Sequence, residues 1–317
     1  MNKNGLRTKI AMMLMVVGVF LCARVTNASA DGGGNNLGAA LEFSLLSLGV
    51  DGVIDLGVGN ASKVTSPSCW ISGDVGSGGN IVLGNNGVYS GNAISFTGDI
   101  TLENYTKVES ECVTNGYLGG VVNRDKGATC GSTDETGNSY LLGNLLAAAF
   151  DGSFFFCDVA SGYPTQWAGV VTLGASKKFT ITDANPGCLN FIDVTSLTLG
   201  NSSTLTLSGG PWDTVVLRVD GNTSIGSGAK IVLTGGLTPA NVVIVGIDGV
   251  SSWGNSTTLN GTFISSGTCT IGSGATINGA VLCGDNLTLG ANARVTSLPA
   301  FYVNVPCTCD FDTPSVP

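Results

Sequence analysis

Histidine is absent from all 317 residues. That removes the side chain most often used as a general base at neutral pH, and the commonest nitrogen ligand for metals. Charge is scarce as well, at 11% of residues. The Asp residues that might do chemistry (Asp183, Asp213, Asp220, Asp248, Asp285) fall at different offsets, so no paired acid and base is implied. No glycine-rich turn opens a helix to cradle phosphate. These absences argue against an enzyme and against any cofactor. All four methionines (Met1, Met12, Met13, Met15) lie near the start. After the apolar run Ile10–Ala23 no stretch approaches the 18 or so residues of a membrane span.

That first stretch reads as a secretory signal peptide over residues 1–30. Lys3, Arg7 and Lys9 precede the apolar run, and Ala28-Ser-Ala30 supplies a small-residue cleavage site. Its removal leaves 9 basic against 22 acidic residues. A balance so acidic disfavours nucleic acid and anionic membrane surfaces as partners. The expected destination is secreted, extracellular, with no membrane span after cleavage. Nine cysteines remain, which in an exported chain implies up to four disulfides and one thiol left over. Cys307-Thr-Cys309 lacks the partners a metal site needs. Seven Asn-x-Ser/Thr sequons (Asn60, Asn104, Asn201, Asn222, Asn255, Asn260, Asn286) also suit tight corners, where Asn, Ser and Thr are common.

What the chain does have is a repeat. Gly254, Gly272 and Gly290 stand 18 residues apart, and the same frame fits Gly226, Gly200, Gly174, Gly84 and Gly59, with Glu103 once in the glycine slot. One residue before the slot is apolar (Val58, Leu83, Leu102, Leu173, Leu199, Ile225, Trp253, Ile271, Leu289). Three after it is mostly small, and five after it is core-forming (Val64, Tyr89, Val108, Phe179, Leu205, Ile231, Leu259, Ile277, Val295). Alternation of this kind marks short strands with one face buried. A third strand closes each coil, as in Thr214–Val219, Asn241–Ile247, Thr262–Ile264 and Ala280–Cys283. Three strands and three corners make one turn of a mainly β, three-sided parallel β-solenoid. An antiparallel sandwich or barrel is the alternative, but a sandwich has no reason to repeat one residue class at one offset nine times.

The solenoid domain is expected over 31–298, with an insertion at about 110–170 and a C-terminal tail at 299–317. Leu37–Leu48 is expected to cap the first coil, and 110–132, with Cys112 and Cys130, to be a disulfide-closed loop. The 71-residue gap between Glu103 and Gly174 is too long for a bare loop. Within it, Tyr140–Phe150 reads as a helix, following the acidic start Thr133-Asp-Glu-Thr136.

Two residues before the slot, between inward neighbours, the column reads Gly57, Val82, Thr101, Thr172, Thr198, Ser224, Ser252, Thr270, Thr288. Its last six members form a candidate ladder of hydroxyls on the outer surface. Four after the slot lie Lys63, Val88, Lys107, Lys178, Thr204, Lys230, Thr258, Thr276 and Arg294, whose long cations would roughen a flat surface. That face is expected to be solvated.

The Leu37–Leu46 opening (Leu-Gly-Ala-Ala-x-x-Phe-Ser-x-Leu), the helix-bearing insertion, Leu259–Ile264 and Thr270–Gly279 together resemble the ice-binding-like antifreeze family across most of 37–297. The Gly210–Val216 phrasing is shared with exported β-helix surface proteins of unknown function. The resemblance implies a right-handed three-sided solenoid with a helix alongside, coils that need not stack in sequence order, and a flat face of Thr and Ser. It makes ice the expected partner, bound through Thr172, Thr198, Ser224, Ser252, Thr270 and Thr288. A structural or adhesive protein contacting matrix, glycan or other copies is the alternative.

Overall fold

In the computed structural model the described residues are 43–47, 63–66, 69–136, 140–141, 166–182, 189–247 and 250–296. Every strand pairing among them is parallel, and all the strands join in one continuous ribbon wound into three faces. The chain is a three-sided parallel β-solenoid.

The first face stacks, in order, Gln166–Leu173, Leu189–Leu199, Thr223–Ile225, Ser251–Trp253, Cys269–Ile271, Leu287–Leu289, Lys63–Ser66, Asn80–Leu83, Ile100–Leu102 and Val122–Arg124. The second runs in parallel from Lys178–Thr182 through Arg294–Thr296, then Trp70–Ser72, to Thr129–Asp134. The third runs from Leu189–Leu199 through Val281–Cys283, then Phe43–Ser47, to Thr129–Asp134.

Stacking order therefore departs from chain order, as the resemblance implied. The last coil of the chain sits against the first: Val64 and Thr65 pair with Leu287 and Thr288, and Leu45 pairs with Val281. At a coil rise of about 4.8 Å, nine steps place Asp134 and Gln166 at opposite ends of a stack roughly 43 Å long.

Each coil sends the residue before the slot and the fifth residue after it into one shared core. Leu199, Leu205, Ile225, Ile231, Leu259, Ile271, Ile277, Leu289 and Val295 are all at least 96% buried there. Small residues fill the corner between the first two faces, with Ala229, Ala275, Ala293, Ser203 and Thr106 fully buried. Burial of each such large side chain stabilises by about 1.5–3 kcal/mol, so the core is a sum of near-identical layers. Phe179, in the end coil, has a strand neighbour on one side only among the described residues and stays 42% exposed.

Two residues after the slot the backbone turns left-handed. Asn86, Tyr105, Ser176, Ser202, Ser256 and Asn292 have φ of 56–61°, and Gly127, Gly228 and Gly274 take the same place. The turn aims that residue's N–H along the stack. Ser202 N donates to Ser227 O at 2.9 Å, Gly228 N to Asn255 O at 2.8 Å and Gly274 N to Ala291 O at 2.8 Å. A coil-to-coil hydrogen bond repays the αL conformation, which L-residues otherwise avoid.

Several expectations need correction. The copy placed on Gly59 is displaced. Lys63–Ser66 forms the first-face strand, so Thr65 holds the ladder position assigned to Gly57, and Ile71 holds the core position assigned to Val64. The corner after Ser66 is one residue shorter and begins with Pro67, so no glycine marks it. Phe43–Ser47 does not cap an end; it lies inside the third face, between Val281–Cys283 and Asp74–Ser77. The closed loop expected at 110–132 is a tenth coil. Val122–Arg124 pairs with Ile100–Leu102, and Thr129–Asp134 with Lys107–Thr114. The Cys112–Cys130 disulfide joins that coil to its neighbour. Tyr140 and Leu141 are helical; the rest of the expected helix, the signal segment and the tail lie outside the described residues.

Candidate functional site

Most of the third face is buried on both sides: every residue of Thr214–Val219, Val242–Gly246, Thr262–Ser265 and Phe43–Ser47 is covered. Its outer side holds the one buried ion pair among the described residues. Arg218 Nε and one terminal nitrogen donate to the two carboxylate oxygens of Asp193, each at 2.5 Å, while the guanidinium lies 5.3 Å from the Phe191 ring centroid. A charge pair satisfied this way fixes strand register and has no open side for a substrate. The first and second faces remain as the outer surface.

The six ladder residues fall into one unbroken row. Thr172 pairs with Thr198, Thr198 with Ser224, Ser224 with Ser252, Ser252 with Thr270 and Thr270 with Thr288. Thr65 extends the row, followed by Val82, Thr101 and Asn123. The local cause is a three-residue strand with inward neighbours: Thr223–Ile225, Ser251–Trp253, Cys269–Ile271 and Leu287–Leu289 each bury their first and third residues and expose the middle one. Thr172 is exposed and Thr198 half-buried. Neighbouring hydroxyls repeat at the coil rise, about 4.8 Å. Four of the six are Thr, whose β-branched side chain is stiff at χ1.

The ground beside the ladder is flat because its side chains are short. Past the end coil the slot glycines leave no room for more: a Cβ on Gly200 would lie 2.7 Å from Ala175 N, on Gly254 2.5 Å from Ser227 N, and on Gly272 2.4 Å from the Gly254 carbonyl carbon. The next column holds Ala175, Asn201, Ser227, Asn255, Ser273 and Ala291. Two of its asparagines clamp adjacent coils, Asn201 Oδ1 accepting from Ser227 N and Asn255 Oδ1 from Ser273 N, each at 2.9 Å. On the other flank stand Val170, Ser196, Asn222, Val250, Thr268 and Asn286. No charged residue occurs in any of these columns from Val170 to Ala291. The patch is roughly 24 Å long and 10–15 Å wide.

Beyond Thr288 the same columns change character. Lys63, Asp99, Glu103, Asp125 and Lys126 bring charge, and Glu103 reaches across its corner to accept from Asn85 N and Nδ2 at 3.2 and 2.7 Å. Sequence reading missed Thr65 and Asn123 as ladder members. Asn123 was detectable from Asp125-Lys-Gly127-Ala128-x-Cys130, which repeats the slot offsets.

On the second face Lys178, Lys230, Arg294, Trp70 and Lys107 are all exposed. The asparagine column beside them is ordered, with Asn278 Nδ2 donating to Asn260 Oδ1 at 2.8 Å and Asn260 Nδ2 to Ile231 O at 2.9 Å. Of the scattered acids, Asp213 is buried and accepts from Gly210 N, while Asp285 accepts from Thr268 Oγ1 at 2.8 Å. Asp183 and Asp248 lie outside the described residues. Among the described residues no three His, Cys, Asp or Glu side chains are placed to share a metal ion. None of the described helices is long and apolar enough to cross a membrane.

The sequence model of the ice-binding-like family matches residues 164–295. An ice-binding protein of Flammulina populicola is 42% identical over 66 residues, which is 21% of this chain and 25% of the relative's length. Two solved structures share the fold. A glycosylated ice-binding protein from an Arctic yeast aligns with a TM-score of 0.53 at 17% identity, over 87% of this chain and 98% of that one. The ice-binding protein of the Antarctic ascomycete Antarctomyces psychrotrophicus aligns with a TM-score of 0.50 at 18% identity, over 84% and 98%. The span of the family match, 164 to 295, is the stretch in which the hydroxyl ladder runs without a break.

Proposed function

We propose that the protein is exported and binds ice without catalysis, through the first-face surface centred on Thr172, Thr198, Ser224, Ser252, Thr270 and Thr288. The observation that carries this reading is the uncharged, short-side-chain patch around that row. Adsorption to a solid lattice of water rewards many weak contacts made at once by a surface that does not move. Parallel coils hold the hydroxyls and methyls at one spacing, and the αL corners lock coil to coil. Charged groups would hold their own hydration shells and oppose the match. Their absence from the ladder and its flanking columns therefore matters as much as the presence of Thr.

The test is thermal hysteresis and ice-recrystallisation inhibition by the secreted chain. Thr270→Tyr and Thr198→Tyr are expected to bring both near background while the melting temperature is kept. Thr276→Tyr, on the second face, is expected to leave them intact. Loss in Thr276→Tyr with retention in Thr270→Tyr would move the site to the second face, and an inactive parent chain would overturn the reading. Sequencing of the secreted form is expected to start at Asp31.

A further inference from the structure

The second face carries a feature the ice reading does not use. In a chain with 22 acidic residues, its eight consecutive strands from Lys178–Thr182 to Val88–Tyr89 contain no Asp or Glu. They do contain Lys178, Lys230 and Arg294, all exposed, in one outward column. Lys107 continues the column but is neutralised by Glu109, Nζ to Oε1 2.8 Å. The exposed acid Asp220 and the half-buried Asp285 lie at the opposite corner, between the third and first faces. Among the described residues of these coils, the exposed acid therefore stands away from the cation row.

The three cations stand two and three coils apart, so the row runs about 24 Å along the axis. Arg294 pairs across strands with Trp70, which is 44% exposed. The pair comes from opposite ends of the chain, brought together only because the last coil docks on the first. A planar guanidinium suits a carboxylate, and an exposed indole suits the apolar face of a sugar ring. Between the cations, Thr204, Thr258 and Thr276 with Asn260 and Asn278 offer hydroxyl and amide partners. A row of this length can lie along several rings of an extended chain, and its separated cations can meet more than one carboxylate.

We propose that the second face binds an extended, carboxylate-bearing polysaccharide, with Lys178, Lys230 and Arg294 taking the carboxylates and Trp70 stacking on a ring. Such a contact anchors the protein in an extracellular polymer while the first face stays free. It does not depend on what the first face binds.

The test is retention of the full secreted chain on immobilised alginate, with dextran and heparin columns alongside and a sodium chloride gradient. Retention on alginate at low salt is expected, lost by roughly 0.5 M as the charges are screened. Combined Lys178→Glu, Lys230→Glu and Arg294→Glu is expected to weaken binding about tenfold or more. Trp70→Ala is expected to weaken it less and to leave the salt dependence unchanged. Thr270→Tyr should bind alginate as the parent does, and the triple variant should keep any ice activity, so the two readings fail separately. Melting temperatures identify any variant that has merely unfolded. Equal retention on dextran, retention on heparin alone, or a triple variant that binds alginate as the parent does would each overturn the assignment.

Discussion

In the six coils from Gln166 to Thr296, the residue after the first-face strand is glycine every time. In the four from Lys63 to Asp134 it is Pro67, Gly84, Glu103 and Asp125. The two regions share one core and the same ladder register, so this difference lies wholly on the surface. In the larger region, past its end coil, the coils approach until no Cβ fits at the slot, and the outside becomes short, uncharged and hydroxylated. In the smaller one, side chains at the slot make polar contacts of their own, with Glu103 to Asn85 as the example, and the outside becomes uneven and charged. A solenoid core therefore tolerates either surface; flatness is a separate property, set by the slot and the columns on either side of the ladder.

The strongest way to break the contrast is to put a side chain into the slot. Gly272→Ala is expected to cost about 1–3 kcal/mol, because its Cβ would meet backbone at 2.4 Å. Gly174→Ala, whose nearest neighbour is Lys177 Cγ at 3.8 Å, should stay within about 0.5 kcal/mol in the same urea titrations.

A comparable effect is expected from the Cys269–Cys283 disulfide, which ties the first face to the third within one coil across a separation of 14 residues. Replacing both cysteines by Ala should lower stability by about 2–4 kcal/mol, read from thermal melting under non-reducing conditions.

The αL corners sharpen the comparison further. Ser202→Gly is expected to stabilise by about 1 kcal/mol, since it removes a left-handed L-residue and keeps the Ser227 hydrogen bond. Gly228→Ser should cost a similar amount.

The smallest effect concerns pH, and belongs to the smaller region. Burial pushes the Asp74 carboxyl above its ordinary value, against the lowering effect of hydrogen bonds from Asn92 N and Nδ2. A raised folded-state pKa means this group favours the fold most below the ordinary carboxylate range, and that the contribution is lost as pH rises through the folded value. Asp74→Asn should flatten that limb of the stability–pH curve, measured by melting temperature between pH 3 and 7 (roughly the window in which a raised Asp titrates).

The coil itself was legible in the sequence. The residue before the slot, the small third residue and the apolar fifth face inward as their spacing implies, and the six ladder residues are neighbours in the stack. What stayed hidden has two physical causes. A shortened corner without glycine concealed the register of Lys63–Ser66, so Gly57 stood where Thr65 belongs. Order within the stack is not a local property either, since nothing in Phe43–Ser47 says that its partner lies at Val281–Cys283, more than two hundred residues on. The cation row needed the same long-range knowledge, because Arg294 and Trp70 are neighbours only once the chain ends have met.

That meeting of first and last coils constrains how such a surface can grow. Phe43–Ser47 and Arg294–Thr296, the first and last described strands, each have paired neighbours on both sides, so a coil added directly beside either would find no free stacking edge. Lengthening must come from within, by copying a turn between existing turns. The stretch in which Gly254, Gly272 and Gly290 recur at the minimal 18-residue interval is where such a copy fits with least disturbance.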